Sequence, residues 1–125
     1  MKMLHVTIQT EKFEAEVQFY LSIVGLKMIT DMRPMGMQMV FLADNEGDTE
    51  IEIIENPEAK PIETEFLSIG FKTDNIEKKY DELKALGFGV SEMINPNPNV
   101  RFFFVKDPAG VSVQFMYTIR ICGDE

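Results

Sequence analysis

The chain contains one pattern twice, and this repetition constrains the fold more than any other feature of the sequence. Residues 64–89 read as an alternating strand, a polar cap, an amphipathic helix and a glycine, and residues 1–26 follow the same outline. The repeated positions keep their spacing: Leu21, Gly25 and Leu26 in the first copy, and Leu83, Gly87 and Phe88 in the second. Self-similarity of this kind is what an internal duplication leaves behind. The sequence therefore predicts two copies of one small module.

In the first module, period-two alternation from Leu4 to Gln9 predicts a strand with an apolar face and a polar face. Thr10 is expected to cap the helix that follows, and Gly25 is expected to end it in a left-handed conformation. Apolar residues at helical spacing form the buried stripe: Phe13, Val17, Tyr20 and Val24. Three more strands are predicted at 27–33, 37–42 and 49–54, separated by turns.

The second module repeats this order. A strand is predicted around residues 67–72, and Asp74 is expected to cap the next helix with Glu77 completing a capping box. Gly87 is expected to end that helix. Three short strands follow at 89–93, 100–106 and 111–117, the first two separated by the break Asn-Pro-Asn-Pro-Asn.

Two tandem βαβββ modules predict one α+β domain spanning residues 1–125. Its parts are module 1 at about 1–56, a linker at 57–65, module 2 at about 66–117 and a tail at 118–125. Each sheet is expected to carry its helix outside and to curve into a cupped, barrel-like arrangement. By strand parity, the inner faces are expected to hold these side chains: His5, Thr7, Glu50, Glu52, Ser68, Lys72, Phe102, Phe104, Ser112, Gln114 and Met116.

Charge and composition exclude several function classes. The chain of 125 residues carries 21 acidic and 12 basic residues, for a formal net charge of −9, which disfavours contact with a nucleic-acid backbone. Its one cysteine, Cys122, rules out an intrachain disulfide and favours a reducing compartment. We find no leader pattern and no apolar run of about 20 residues, so we expect a cytoplasmic protein without membrane partners.

Several phrases, taken with the repeated module, resemble the vicinal oxygen chelate superfamily, which includes glyoxalase I, extradiol dioxygenases, fosfomycin-resistance enzymes and bleomycin-resistance proteins. IEIIEN closes the first module, FKTDNI enters the second helix, and DPAGVSVQF closes the second module. The resemblance covers residues 1–116. It implies the same α+β fold and a site for one divalent ion such as Zn, Ni, Mn or Fe.

The resemblance assigns that ion four inward positions, one on each of four strands. They fall on His5, Glu52, Ser68 and Gln114, with Glu50 as the alternative to Glu52 if the register shifts by two residues. Histidine and glutamate match the family pattern, whereas serine and glutamine replace stronger ligands. Gln114 is not a base, so Glu52 is the candidate catalytic residue, and glyoxalase I activity itself is not expected.

Two functions from different classes stay open. One is a metal-dependent lyase or isomerase that polarises adjacent substrate oxygens at an ion held by His5, Glu52 and Gln114. The other, which we favour, is a binder of a neutral or cationic small molecule with a degenerate metal site or none. Its ligand-binding residues would be Glu50, Ser68, Lys72, Phe102, Phe104 and Met116. Family resemblance also implies a homodimer.

Overall fold

The computed structural model describes residues 1–119, which form two compact units. The first is Met1–Ile62, and the second begins at Glu63. Cys122 and most of the predicted tail lie outside the described residues.

The first unit contains a helix and a four-stranded sheet. Strand β1 is His5–Thr10, and helix α1, Phe13–Gln18, continues as a π-helical segment, Phe19–Val24. The other strands and a short 3-10 turn follow in the order β2 Lys27–Asp31, turn Arg33–Met35, β3 Met39–Ala43 and β4 Glu50–Glu55. The sheet order is β1-β4-β3-β2, so the first and last strands of the unit lie side by side in parallel.

The second unit has the same topology. Its elements are β5 Ser68–Lys72, α2 Ile76–Ala85, β6 Ile94–Asn97, β7 Val100–Lys106 and β8 Ser112–Thr118. The sheet order is β5-β8-β7-β6, with β5 and β8 parallel. This arrangement confirms the predicted α+β class and the duplicated βαβββ module. Both sheets are open. No helix within residues 1–119 has the length and apolar character needed to span a bilayer.

The apolar face of the first sheet packs against its own helix. Ile53 on the central strand β4 is fully buried, and so is Tyr20 on the helix. Their neighbours in this core are Ile8, Phe13, Val17, Val40, Leu42 and Ile51. Glu16 falls in the same helical stripe, one turn from Phe13, and is also fully buried, which the apolar pattern alone did not predict.

The core of the second unit is built around aromatic rings. Phe103 on β7 stacks on Phe115 of β8 with ring centroids 5.6 Å apart, and Tyr80 of α2 meets Phe103 edge-on at 5.0 Å. Leu83 of α2 is fully buried. Because β7 alternates, Phe103 enters this core while the rings on either side of it, Phe102 and Phe104, take the other face of the sheet.

The helix ends are as predicted, but the helix starts are not. Gly25 and Gly87 adopt φ values of 87° and 90°, in the left-handed region expected of helix-ending glycines. The first helix begins only at Phe13, and the Thr10 hydroxyl accepts a hydrogen bond from the Lys12 N–H instead of capping it. In the second helix the cap is Asn75, not Asp74, because the Asn75 side chain accepts from the Lys78 N–H at 3.2 Å.

One predicted strand is misplaced. Strand β6 covers Ile94–Asn97 and so overlaps the stretch predicted as a break, whereas in 89–93 only Val90 pairs, in an isolated bridge to Val105. Strand β6 lies at the sheet edge, where proline is tolerated because its missing N–H need not serve a neighbour. The strand at 100–106 is confirmed as predicted, and the second strand ends at Asp31 because the 3-10 turn begins at Arg33.

Candidate functional sites on the two open sheet faces

The face of the first sheet that turns away from its helix carries the predicted histidine and glutamates. Pairing of β1 with β4 sets Thr7 opposite Glu52 and His5 opposite Glu50. On the other side of β4, Phe41 lies opposite Glu52. Because paired residues share a face, these side chains form one patch, which we call the acidic face: His5, Thr7, Phe41, Glu50 and Glu52.

Glu52 is the centre of the acidic face. It is 9% exposed, and its Oε1 accepts a hydrogen bond from the Thr7 hydroxyl at 2.5 Å. His5 Nε2 lies 3.4 Å from the same oxygen, and the imidazole stands edge-on to Phe41 with centroids 6.0 Å apart. The structure thus brings together Glu52 and His5, the pair chosen from the sequence, while Glu50 has no such contact with His5 among the described ion pairs.

The second sheet carries the other predicted residues on a single face, which we call the aromatic face: Ser68, Lys72, Phe102, Phe104, Ser112, Gln114 and Met116. Strand pairing sets Phe104 opposite Gln114 and Phe102 opposite Met116. The rings of Phe102 and Phe104 meet at 84° with centroids 5.7 Å apart. On the β5 side, Lys72 is opposite Met116 and Ser68 is opposite Ser112. Gln114 lies on β8, between the two rings of β7 and the edge strand β5, which carries the cationic Lys72.

Gln114 lies across Gly70, its partner on β5. A Cβ atom placed on Gly70 would sit 3.2 Å from the Gln114 Oε1, closer than ordinary van der Waals contact. The glycine therefore leaves room for the glutamine amide to lie over the neighbouring strand. An amide both donates and accepts hydrogen bonds, so Gln114 can meet either kind of polar group on a ligand.

Two candidate donors for a metal ion lie together in the first unit. His5 Nε2 and Glu52 Oε1 are close enough to serve one ion, and imidazole with carboxylate suits the borderline divalent metals. Catalytic zinc sites use three protein ligands, however. Within residues 1–119 the structure has no cluster of three or more His, Cys, Asp or Glu side chains able to hold an ion. Ser68 and Gln114 belong to the second unit.

Sequence reasoning placed Thr7 on the correct face but gave it no role, and it did not identify Phe41. Both contacts arise from strand register, since Thr7 and Phe41 flank Glu52 on neighbouring strands. Alternation shows which face a residue takes but not which residue lies beside it. The only sequence signal for the contact with Glu52 was that Thr7 is a polar residue between Val6 and Ile8.

Comparison with known proteins decides the family. The model of the Glyoxalase/Bleomycin resistance protein/Dioxygenase superfamily matches residues 2–115. The chain belongs to this superfamily. The family expected from the repeated module and its closing phrases is thereby confirmed. None of the curated protein sequences matches this superfamily member significantly.

Solved structures agree on the fold. The trypanothione-dependent glyoxalase I of Leishmania major is 18% identical, with a TM-score of 0.77 over 94% of this chain and 86% of that one. TnmS3, an antibiotic binding protein from Streptomyces sp. CB03234, is 19% identical, with a TM-score of 0.73 over 95% and 97%. A glyoxalase/bleomycin resistance protein from the same Streptomyces strain is 20% identical, with a TM-score of 0.66 over 92% and 98%. At these identities the likeness concerns the fold alone.

Proposed function

We propose that this superfamily member binds a small organic molecule without converting it, and that any metal site is degenerate. The observation that carries the proposal is the aromatic face, where Phe102 and Phe104 present two rings beside the amide of Gln114. Ligand sites combine apolar surface with placed polar groups, and this face offers both.

The chemistry of the aromatic face favours a ligand with a flat apolar part. Phe102 and Phe104 are half-buried, so their rings keep exposed area for stacking. Met116 adds an adaptable apolar contact beside Phe102. Ser68 and Lys72 supply polar groups on β5. TnmS3 is an antibiotic binding protein with this fold, which supports a sequestering function for the present chain.

The acidic face supports a neutral or cationic ligand over an anionic one. Glu50 and Glu52 lie on the same face of β4, and His5 and Thr7 already engage Glu52. A carboxylate that accepts bonds from its own neighbours is held in place and is less available to act as a mobile base. This arrangement favours binding over proton transfer.

A ligand titration tests the proposal. Bleomycin and a series of flat aromatic cations are titrated into the protein by isothermal calorimetry, and the best binder is used for variants. Phe102→Ala and Phe104→Ala should each weaken binding about ten-fold, since aromatic contacts contribute roughly 0.5–1.5 kcal/mol beyond area burial. Phe66→Ala is the matched control, because Phe66 is 99% exposed and precedes β5. Affinity that survives both strand substitutions would contradict the proposal.

A metal-dependent lyase or isomerase is the second candidate, and one distance favours it. His5 Nε2 and Glu52 Oε1 are 3.4 Å apart, close enough for one ion to bind both atoms. In that function Glu52 would be the catalytic group, and the ion would polarise adjacent substrate oxygens. Elemental analysis separates the candidates. About one equivalent of Zn, Ni, Mn or Fe, lost in both His5→Ala and Glu52→Ala, supports the lyase. Metal-free protein that is insensitive to chelator supports the binder.

The proposal also includes a homodimer in the cytoplasm, as the sequence suggested. Light scattering coupled to size-exclusion chromatography measures the first point. A mass of one chain at working concentration would exclude the dimer.

A further inference from the structure

A depression of 370 Å³ lies at one end of the second sheet, and its whole lining comes from the second unit. Phe104 and Val90 supply apolar surface, Glu65 and Lys106 supply charge, and Ser112 lies opposite Lys106 in the sheet. The volume falls in the range of small-molecule sites. This depression shares Phe104 and Ser112 with the aromatic face, and Lys106 extends that face because it lies opposite Ser112.

The wall of the depression is fixed by backbone hydrogen bonds. The Ser91 N–H donates to the Phe104 carbonyl at 2.9 Å, and the Phe104 N–H donates to the Ser91 hydroxyl at 2.8 Å. Val90 pairs with Val105 beside them. Next to Glu65, the Phe66 N–H donates to the Thr64 hydroxyl at 3.1 Å, a bond that spans Glu65. Hydrogen bonds within the second unit therefore hold the segments that carry Ser91, Phe104 and Glu65.

Glu65 and Lys106 both line this depression and carry opposite charges that do not pair. Both are exposed, and within residues 1–119 neither takes part in an ion pair or a side-chain hydrogen bond. They also line an adjoining depression of 360 Å³ that includes Phe66. Two unpaired opposite charges beside an apolar surface match a ligand that carries both charges and an apolar group.

We propose that this depression binds a small zwitterion with an apolar side chain, such as an aromatic α-amino acid. The carboxylate of Glu65 would receive the ligand ammonium, the ammonium of Lys106 would receive the ligand carboxylate, and the side chain would cover Phe104 and Val90. Charge-assisted hydrogen bonds fix the orientation of the ligand, while apolar contact adds affinity. This inference shares Phe104 with the proposed ligand site but depends on Glu65 and Lys106, which the proposed function leaves unassigned.

The test uses L-phenylalanine and two analogues that each lack one charge. Amide signals of the full-length protein are followed by two-dimensional NMR during titration. L-phenylalanine should shift the signals of Gly89 and Ser91, which line the depression. N-acetyl-L-phenylalanine and L-phenylalaninamide should bind about ten-fold more weakly, because each loses one hydrogen-bonded charge. Equal binding of all three compounds, or no shift of these signals by L-phenylalanine, would overturn the proposal.

Variants assign each charge to its partner. Glu65→Gln should remove the preference for a free ammonium, and Lys106→Gln should remove the preference for a free carboxylate. Glu58→Gln and Lys60→Gln are matched controls, since both residues are exposed and belong to the first unit. If Glu65→Gln and Lys106→Gln bind L-phenylalanine as the controls do, the site is wrong. Phe102 does not line the depression, so Phe102→Ala should lose binding of the flat aromatic ligand and keep binding of L-phenylalanine. This result would distinguish the inference from the proposed function.

Discussion

Replacing Thr7 by valine removes one hydrogen bond and almost nothing else. Threonine and valine have the same branched shape, and both favour strands. Thr7 lies in β1 opposite Glu52, and its hydroxyl donates to the Glu52 carboxylate at 2.5 Å. The substitution therefore leaves the strand intact and takes away the donor closest to a carboxylate that is 9% exposed.

The magnitude follows from the burial of Glu52 and from the neighbour that stays. A hydrogen bond to a charged group contributes about 1.5–3 kcal/mol. His5 Nε2 remains 3.4 Å from the same oxygen, and the Glu52 side chain keeps 11% exposure, so the lower end of that range applies. Thr7→Val should lower the free energy of unfolding by about 1.5 kcal/mol, close to a ten-fold change in the folding equilibrium.

Urea unfolding followed by far-ultraviolet circular dichroism measures this difference, with the slope against urea expected to be unchanged. Thr30→Val is the control. Thr30 is an exposed threonine of β2 on the same face, opposite Phe41, and its hydroxyl has no hydrogen bond within residues 1–119. In a Glu52→Gln background Thr7→Val should cost less, since a neutral pair contributes about 0.5–1.5 kcal/mol. If Thr7→Val and Thr30→Val agree within about 0.5 kcal/mol, the role assigned to Thr7 is refuted.

Three further predictions concern stability. Gly87→Ala should lower the free energy of unfolding by about 1–2 kcal/mol because Gly87 has a φ of +90°. Gly89→Ala, at an open position without positive φ, should lower it less, and equal urea midpoints for the two variants would contradict this. Leu83→Ala should cost about 3–5 kcal/mol in the same assay because Leu83 is fully buried, and a loss under 1 kcal/mol would argue against that packing. The Arg33 side chain, through its hydrogen bonds, lowers the pKa of Asp31 below its ordinary value of 3.8. That stabilisation is present above about pH 3.8 and is lost as pH falls through the lowered pKa of Asp31. The difference in the free energy of unfolding between wild type and Arg33→Gln should therefore shrink in acid. A difference that does not depend on pH would exclude the ion pair as its cause.

Local sequence chemistry predicted the parts of the fold that depend on single residues. Gly25 and Gly87 end their helices because the left-handed conformation costs glycine little. Helix starts were less predictable, because neighbouring residues compete for the same role. Asp74 and Asn75 can each accept a backbone hydrogen bond, and the side chain that does so is Asn75. The choice depends on where the backbone leaves β5, which the sequence does not state.

The sheets show the same division between local and distant information. Alternation placed Glu52 and His5 on one face, and Phe102 and Phe104 on another, because side chains alternate with period two. It did not reveal that Thr7 would lie beside Glu52, since that contact joins strands 45 residues apart. It also misjudged β6, because prolines were taken as a break, although an edge strand accepts them.

The place of the last strand in each sheet bears on how the protein is made. Strand β8, Ser112–Thr118, lies between β5 and β7, so the second sheet has no continuous backbone ladder until this segment is present. During synthesis, β5 and β7 leave the ribosome before β8, and the backbone edges that pair with β8 stay unpaired until it emerges. Ribosome-bound chains that stop before Ser112 should therefore stay open to protease and to chaperones in this half, while Met1–Ile62 already has every strand of its own sheet.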